Sequence, residues 1–219
     1  MTKWNHETDS CSFGKINIGR VVDMEDSGFT ASMLYPDSTP ERIRSLSHRF
    51  GSQHIHPDSL DLNLSFHAYI IKTKNHIILV DACVGNGKKR PGRKMWTNRS
   101  GPFLDNLARH GVTPEDIDFV MCTHMHADHV GWNTKKVNGE WVPTFPNAQY
   151  LFAKREYKFW EERQAQSQDP IMYGSYADSI LPVIKSGQAK LIGSNHEIAT
   201  GINTEPAYGH TPGNIILNV

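Results

Sequence analysis

Three imidazoles and a carboxylate crowd into His124-Met125-His126-Ala127-Asp128-His129, and these are donor groups that bind metals. Neutral imidazole nitrogens and carboxylate oxygens are what borderline divalent ions such as zinc prefer. On an extended backbone His124 and His126 project to the same side and can share one ion. Asp128 and His129 follow where the chain should turn, so one segment can feed two adjacent metal positions. The alternative is a His-rich surface loop with no ligand role, and four candidate ligands in register count against it. A second His-x-His, His54 and His56, stands apart from any carboxylate or strand signal and reads as an exposed loop.

The elements that must position these donors follow from periodicity. Phe119-Val120-Met121-Cys122 is an apolar run that leads straight into the histidines. Upstream, Ile77-Ile78-Leu79-Val80 is a continuous apolar run suited to a central strand covered on both faces. Residues 60–71 alternate, with Leu62, Leu64, Phe66, Ala68 and Ile70 on one face, as a half-buried strand does. Ile16, Ile18, Val21 and Val22 predict a first strand, followed by a Gly- and Pro-punctuated region through Asp37. Thr39-Pro40-Glu41 opens a short helix to about Phe50. A second helix starts at Ser100-Gly101-Pro102-Phe103, keeps Phe103, Leu104, Leu107 and Ala108 on one face and ends at Gly111. Thr113-Pro114-Glu115-Asp116 is a capped turn. Asn138-Gly139 between two strand-like pieces signals a hairpin, because a type I′ turn needs positive φ at both central residues. A strand is predicted over 149–152 and a helix over 154–166, then a helix over 178–185 interrupted near Pro182.

Composition bounds the rest. A chain of 219 residues with 38% apolar and 21% charged content is long enough for one well-buried domain. Lys plus Arg equal Asp plus Glu at 23 each, so no global field favours nucleic acid or an anionic membrane. Cys11, Cys83 and Cys122 are odd in number and widely spaced, and read as reduced residues rather than a disulfide frame. Residues 1–10 are polar, and no run approaches a membrane span, so the expectation is a cytoplasmic protein.

The string His124-x-His126-x-Asp128-His129 resembles the signature of the metallo-β-lactamase-fold hydrolases. Ile77-Ile78-Leu79-Val80-Asp81 upstream and Gly209-His210-Thr211-Pro212-Gly213-Asn214 downstream stand in the matching order, and the resemblance runs from about Leu64 to the end. It implies an α/β fold, an αββα four-layer sandwich with a two-metal hydrolytic site, zinc in each position, with other divalent metals as alternatives. It makes His210 the third imidazole of the first position beside His124 and His126, and leaves Asp128 and His129 for the second. The implied chemistry is attack of a metal-activated hydroxide on a carbonyl, with Asp128 orienting the nucleophile or receiving and passing on its proton. Likeness to lactonase-like members points to a small ester or lactone. Thioesters, β-lactams and organophosphate esters stay open, since the same nucleophile serves all of them.

At Asp81 the family places an aspartate that holds a ligating imidazole by its other nitrogen; a helix or turn cap is the other reading. The family pattern continues past Val219 with a metal-bridging aspartate, a further histidine and more strands and helices. The second half of the sandwich is therefore expected to be incomplete, the chain to be part of a longer hydrolase, and a sheet edge to be left free for pairing, with a homodimer as one outcome. A metal-binding protein without turnover is the competing function class. Two further segments keep two readings each. The basic run 85–96, with five positive charges, is either a rim loop that clamps an anionic group or a solvated loop. Trp132, Trp141 and Phe145 either wall a substrate pocket or pack in the core.

Overall fold

Short apolar runs separated by turn residues build the strands, and a computed structural model describes them over residues 4–219, with the backbone alone at 26–27. In chain order they are β1 (Ser10–Phe13), β2 (Ile16–Phe29), β3 (Leu62–Lys72), β4 (Ile77–Val80), β5 (Phe119–Cys122), β6 (Thr134–Val137), β7 (Glu140–Pro143), β8 (Gln149–Ala153), β9 (Ala189–Ile192), β10 (His196–Ala199), β11 (Ile202–Pro206) and β12 (Ile215–Asn218). The helices are α1 (Ala31–Leu34), α2 (Pro40–Phe50), α3 (Phe103–Arg109), α4 (Ala127–Val130), α5 (Lys154–Ala165) and α6 (Leu181–Lys185). Two compact units divide the chain, Met1–Asp23 with His67–Val219 and Met24–Phe66, and their boundaries fall within β2 and next to Phe66 in β3.

One sheet has seven strands in the order β1-β2-β3-β4-β5-β8-β9. Its centre is parallel: β4 pairs with β5, β5 with β8 and β8 with β9 in one direction. Period-two alternation divides the side chains of these strands between two cores. Leu79, Val120, Cys122, Tyr150 and Phe152 join Phe103, Leu107, Ile180 and Val183 on the helical side. Ile78, Val80, Met121, Leu151 and Ala153 face the other way and pack with Ile202 and Ile215 of the three-stranded sheet β10-β11-β12. Helices, seven-stranded sheet and three-stranded sheet thus stack as α/β layers, and the parallel strands end where the histidine loops begin.

The second unit builds its own small core from Ala31, Ile43 and Ile55, with Leu60 and Leu62 packed against it. Thr39 caps α2, its side-chain oxygen accepting from the Arg42 N–H at 3.3 Å, with Pro40 in the first turn as predicted.

Several expectations change. The first strand does not stop at Val22 but runs to Phe29, and a strand over Ser10–Phe13 precedes it at the end of the polar amino-terminal stretch. Asn138 and Gly139 have φ of 51° and 91° and close the β6–β7 hairpin as predicted. The aromatics beside it pack: Phe145 and Trp132 are core residues. Both readings of the basic run fail for its two central charges, because Lys88 and Arg90 are 0% and 1% exposed. Arg90 makes a two-pronged bond to Asp178, Nη1 to Oδ2 at 2.6 Å and Nη2 to Oδ1 at 3.0 Å. Lys88 donates to Thr134 Oγ1 at 2.5 Å and lies 3.6 Å from the Trp141 ring centre. The counter-ion stands 88 residues further on than Arg90, so the run looks unpaired when read locally. Cys83 and Cys122 are buried free thiols and Cys11 is half-buried and free. Among the described residues no helix is long and apolar enough to cross a membrane.

Candidate metal centre

β5 ends at Cys122, and the next residues turn outward at the carboxyl ends of the parallel strands. His126 ends this extended stretch and precedes α4, which carries Asp128 and His129 in its single turn. The turn can sit here because Gly131 has no side chain. A Cβ there would lie 1.9 Å from the Val84 carbonyl oxygen, which belongs to the loop after β4. His210 arrives from the hairpin between β11 and β12, whose first residue, Ile215, donates its N–H to the Thr123 carbonyl at 2.9 Å.

Within this frame His124, His126 and His210 converge, with one nitrogen from each lying within 4.8 Å of the others. His126 Nδ1 and His210 Nε2 are 3.1 Å apart. His129 adds a fourth ring, its centre 4.0 Å from that of His124. Asp128 Oδ2 lies 3.6 Å from His129 Nε2, so all five residues singled out in the sequence fall in one cluster.

Hydrogen bonds behind the rings decide which nitrogens are free. The Thr123 hydroxyl lies 3.0 and 2.9 Å from the two Asp81 oxygens and donates to that carboxylate. It therefore accepts from His124 Nδ1–H at 3.1 Å, which leaves the Nε2 lone pair of His124 unprotonated. That Nε2 is buried and has no hydrogen-bond partner. Burial, reinforced by His129, His126 and His210, pushes the His124 pKa down to about 2, so the ring is neutral. Burial and His210 also lower His126. Neutral imidazoles with free lone pairs converging in one place are the donor set a zinc-type cation requires, and a buried orphan nitrogen is costly without one.

Asp81 resolves its two readings in favour of the imidazole-holding one. It sits at φ 63° just past β4, accepts the Thr123 N–H at 2.8 Å and contacts His129 Nδ1 at 2.8 Å. His129 Nδ1 is thereby occupied, leaving Nε2 toward Asp128. Burial lowers the His129 pKa, but the charge and hydrogen bond of Asp81, with Asp128, outweigh it and hold the ring up at about 9.

Two acids of the site's framework escaped the sequence reading. Asp23, 1% exposed, accepts from the Val84 N–H at 3.2 Å, Trp132 Nε1–H at 3.1 Å and Arg99 at 2.8 Å, and so braces the loop after β4. Glu156, 1% exposed on α5, accepts from the backbone of both histidine loops. Neither stands in a motif; Glu156 looks like one more charge on a charged helix.

The family model described as "Metallo-beta-lactamase superfamily" matches residues 66–217. The N-acyl homoserine lactonase of Bacillus cereus is 26% identical over 167 residues, covering 69% of this chain and 57% of that protein. N-acyl homoserine lactonase AiiA of Bacillus thuringiensis subsp. kurstaki is 24% identical over 163 residues, with the same coverage of 69% and 57%. The chain thus spans 57% of the length of these curated relatives. Among solved structures, a probable metal-dependent hydrolase from Staphylococcus aureus superposes with a TM-score of 0.71 at 22% identity, over 94% of this chain and 69% of that one. AidC, a dizinc quorum-quenching lactonase, superposes with a TM-score of 0.68 at 19% identity, over 95% of this chain and 68% of that one. At these identities the structural likeness speaks to the fold.

Proposed function

Because the chain belongs to the metallo-beta-lactamase superfamily, we propose that it is a metal-dependent hydrolase that opens a small ester or lactone. The observation that carries the proposal is the buried, partnerless Nε2 of His124 in a cluster whose other imidazoles, His126 and His210, face it. These three residues would hold the first cation, and Asp128 with His129 Nε2 would contribute to a second. A zinc-type cation supplies Lewis acidity to a carbonyl oxygen and brings the pKa of water down to about 7.

The chain's own residues do the rest. Thr123 and Asp81 hold His124 in the tautomer that presents Nε2, and Asp81 does the same for His129. Asp128 takes the proton of the attacking water and returns it to the alkoxide released as the ester bond breaks, so that water and lactone yield a hydroxy acid. The lactone preference is supported by the N-acyl homoserine lactonases among the relatives and rests on nothing finer. The test is hydrolysis of a panel of lactones and aryl esters with and without chelator. Chelator-sensitive turnover, restored by zinc and abolished by His126→Ala, is expected. Turnover indifferent to both would refute the proposal, and tight metal binding with no turnover on the whole panel would favour a protein that only binds metal.

A further inference from the structure

We infer that Glu156 is a positioning residue for the metal centre: its one carboxylate ties the two ligand-bearing loops together, so the three imidazoles stand assembled before a cation arrives. This role rests on the metal-site reading above. Oε1 accepts the Met125 N–H at 3.1 Å, and Met125 lies between His124 and His126. Oε2 accepts the Gly213 N–H at 2.9 Å, and Gly213 lies in the turn that carries His210. His126 and His210 are 84 residues apart in the chain, yet a single side chain bonds the backbone beside each.

The fit is close on both sides. A Cβ at Gly213 would lie 2.2 Å from the Glu156 backbone nitrogen and 2.5 Å from its Cα, so only glycine lets that turn come near enough to reach the carboxylate. Trp160, one helical turn on, donates its indole N–H to the same Oε1 at 2.7 Å. Its ring stands edge-on to His126, with centres 5.7 Å apart, so Glu156 also fixes the wall behind that ligand.

The bonding of the carboxyl group is one-sided as well. Three N–H donors converge on the Glu156 carboxyl, from Met125, Gly213 and Trp160. Among the described residues no lysine, arginine or histidine forms an ion pair with it, although it is 1% exposed. A buried carboxyl group spent on loop amides and an indole beside a three-histidine cluster is suited to hold those ligands in place, as outer partners of metal ligands do.

The test compares cobalt(II) binding by the full chain and by Glu156→Gln, using competition with a chromogenic chelator and the visible spectrum of the bound ion. In Glu156→Gln an amide N–H₂ replaces one oxygen, so one of the two loops loses its acceptor and meets a donor instead. Cobalt affinity should fall by about 10- to 100-fold, the expected effect of losing an outer partner, and the band intensities should change. These measurements are made at a temperature where circular dichroism shows the variant folded. A folded variant with wild-type affinity and spectrum would overturn the role while leaving the metal site standing. A wild-type chain that takes up no cobalt would overturn the metal-site reading and this role with it. Should Glu156→Gln fail to fold, amide exchange on the metal-free wild type decides. The Met125 and Gly213 amides are expected to be protected together, and a Gly213 amide that exchanges as freely as an open turn would overturn the clamp.

Discussion

Buried Lys88 and half-buried His129 make opposite demands on the pH dependence of folding, and their cancellation can be tested in metal-free protein. His129 titrates at about 9 in the fold against 6.5 for a free histidine. Its stabilisation is therefore complete below pH 6.5 and fades as pH rises through 9. Burial, aided by Arg90 and opposed by Asp178, drops Lys88 from 10.5 to about 7, so the folded chain sheds that proton first and stability rises between pH 7 and 10.5. One proton of difference is worth about 1.4 kcal/mol per pH unit, so each group contributes about 2 kcal/mol between pH 7 and pH 8.5, with opposite signs. His129 is 29% exposed, and solvent screening trims its share.

Wild-type stability, from urea titrations followed by tryptophan fluorescence in chelator, should be nearly level over that interval. Lys88→Met should expose the His129 slope and lose up to about 2 kcal/mol from pH 7 to 8.5. Asp81→Asn should expose the Lys88 slope and gain about as much. Each variant is compared with itself across pH, so the fixed cost of the lost contacts drops out. A Lys88→Met titration as level as wild type would refute the reasoning.

The hydroxyl of Thr123 bridges Asp81 and His124 Nδ1, so Thr123→Val should free the His124 tautomer and weaken zinc binding by about tenfold. Competition titration measures the affinity and imidazole ¹⁵N shifts report the tautomer; an unchanged pair of results would contradict the assignment. Asp178→Ala removes the carboxylate that faces both Lys88 and Arg90, and should cost about 3–5 kcal/mol in urea unfolding, because the buried Arg90 guanidinium loses its partner. A loss below about 1 kcal/mol would place that pair among exposed ion pairs instead.

The donors were legible because metal chemistry restricts both residue type and spacing. His124, His126, Asp128 and His129 sit within one loop, and strand periodicity placed that loop at the end of β5. His210 needed the family resemblance, since a single histidine in a glycine-bounded turn carries no signal of its own. The central place of β4 was legible for a similar reason: Ile77–Val80 has no polar alternation and must be covered on both faces. What local pattern could not reveal is pairing over long separations. Arg90 and Asp178 are 88 residues apart, Trp132 and Asp23 are 109 apart, and Gly213 and Glu156 are 57 apart. A charge with such a partner looks solvated until the fold is known.

Those distant pairs share a logic that bears on the site. Asp23 and Glu156 each accept N–H groups from segments that arrive from different parts of the chain, and Asp81 accepts from both ends of the histidine loop, at the ends of the parallel strands. An acceptor with two oxygens and no donor of its own can satisfy several loop amides at once, where an apolar contact would leave them orphaned. The loops can then be irregular enough to present four imidazoles while their backbone stays bonded. In this arrangement the acids behind the rings, rather than the histidine motif itself, set how closely the four imidazoles stand.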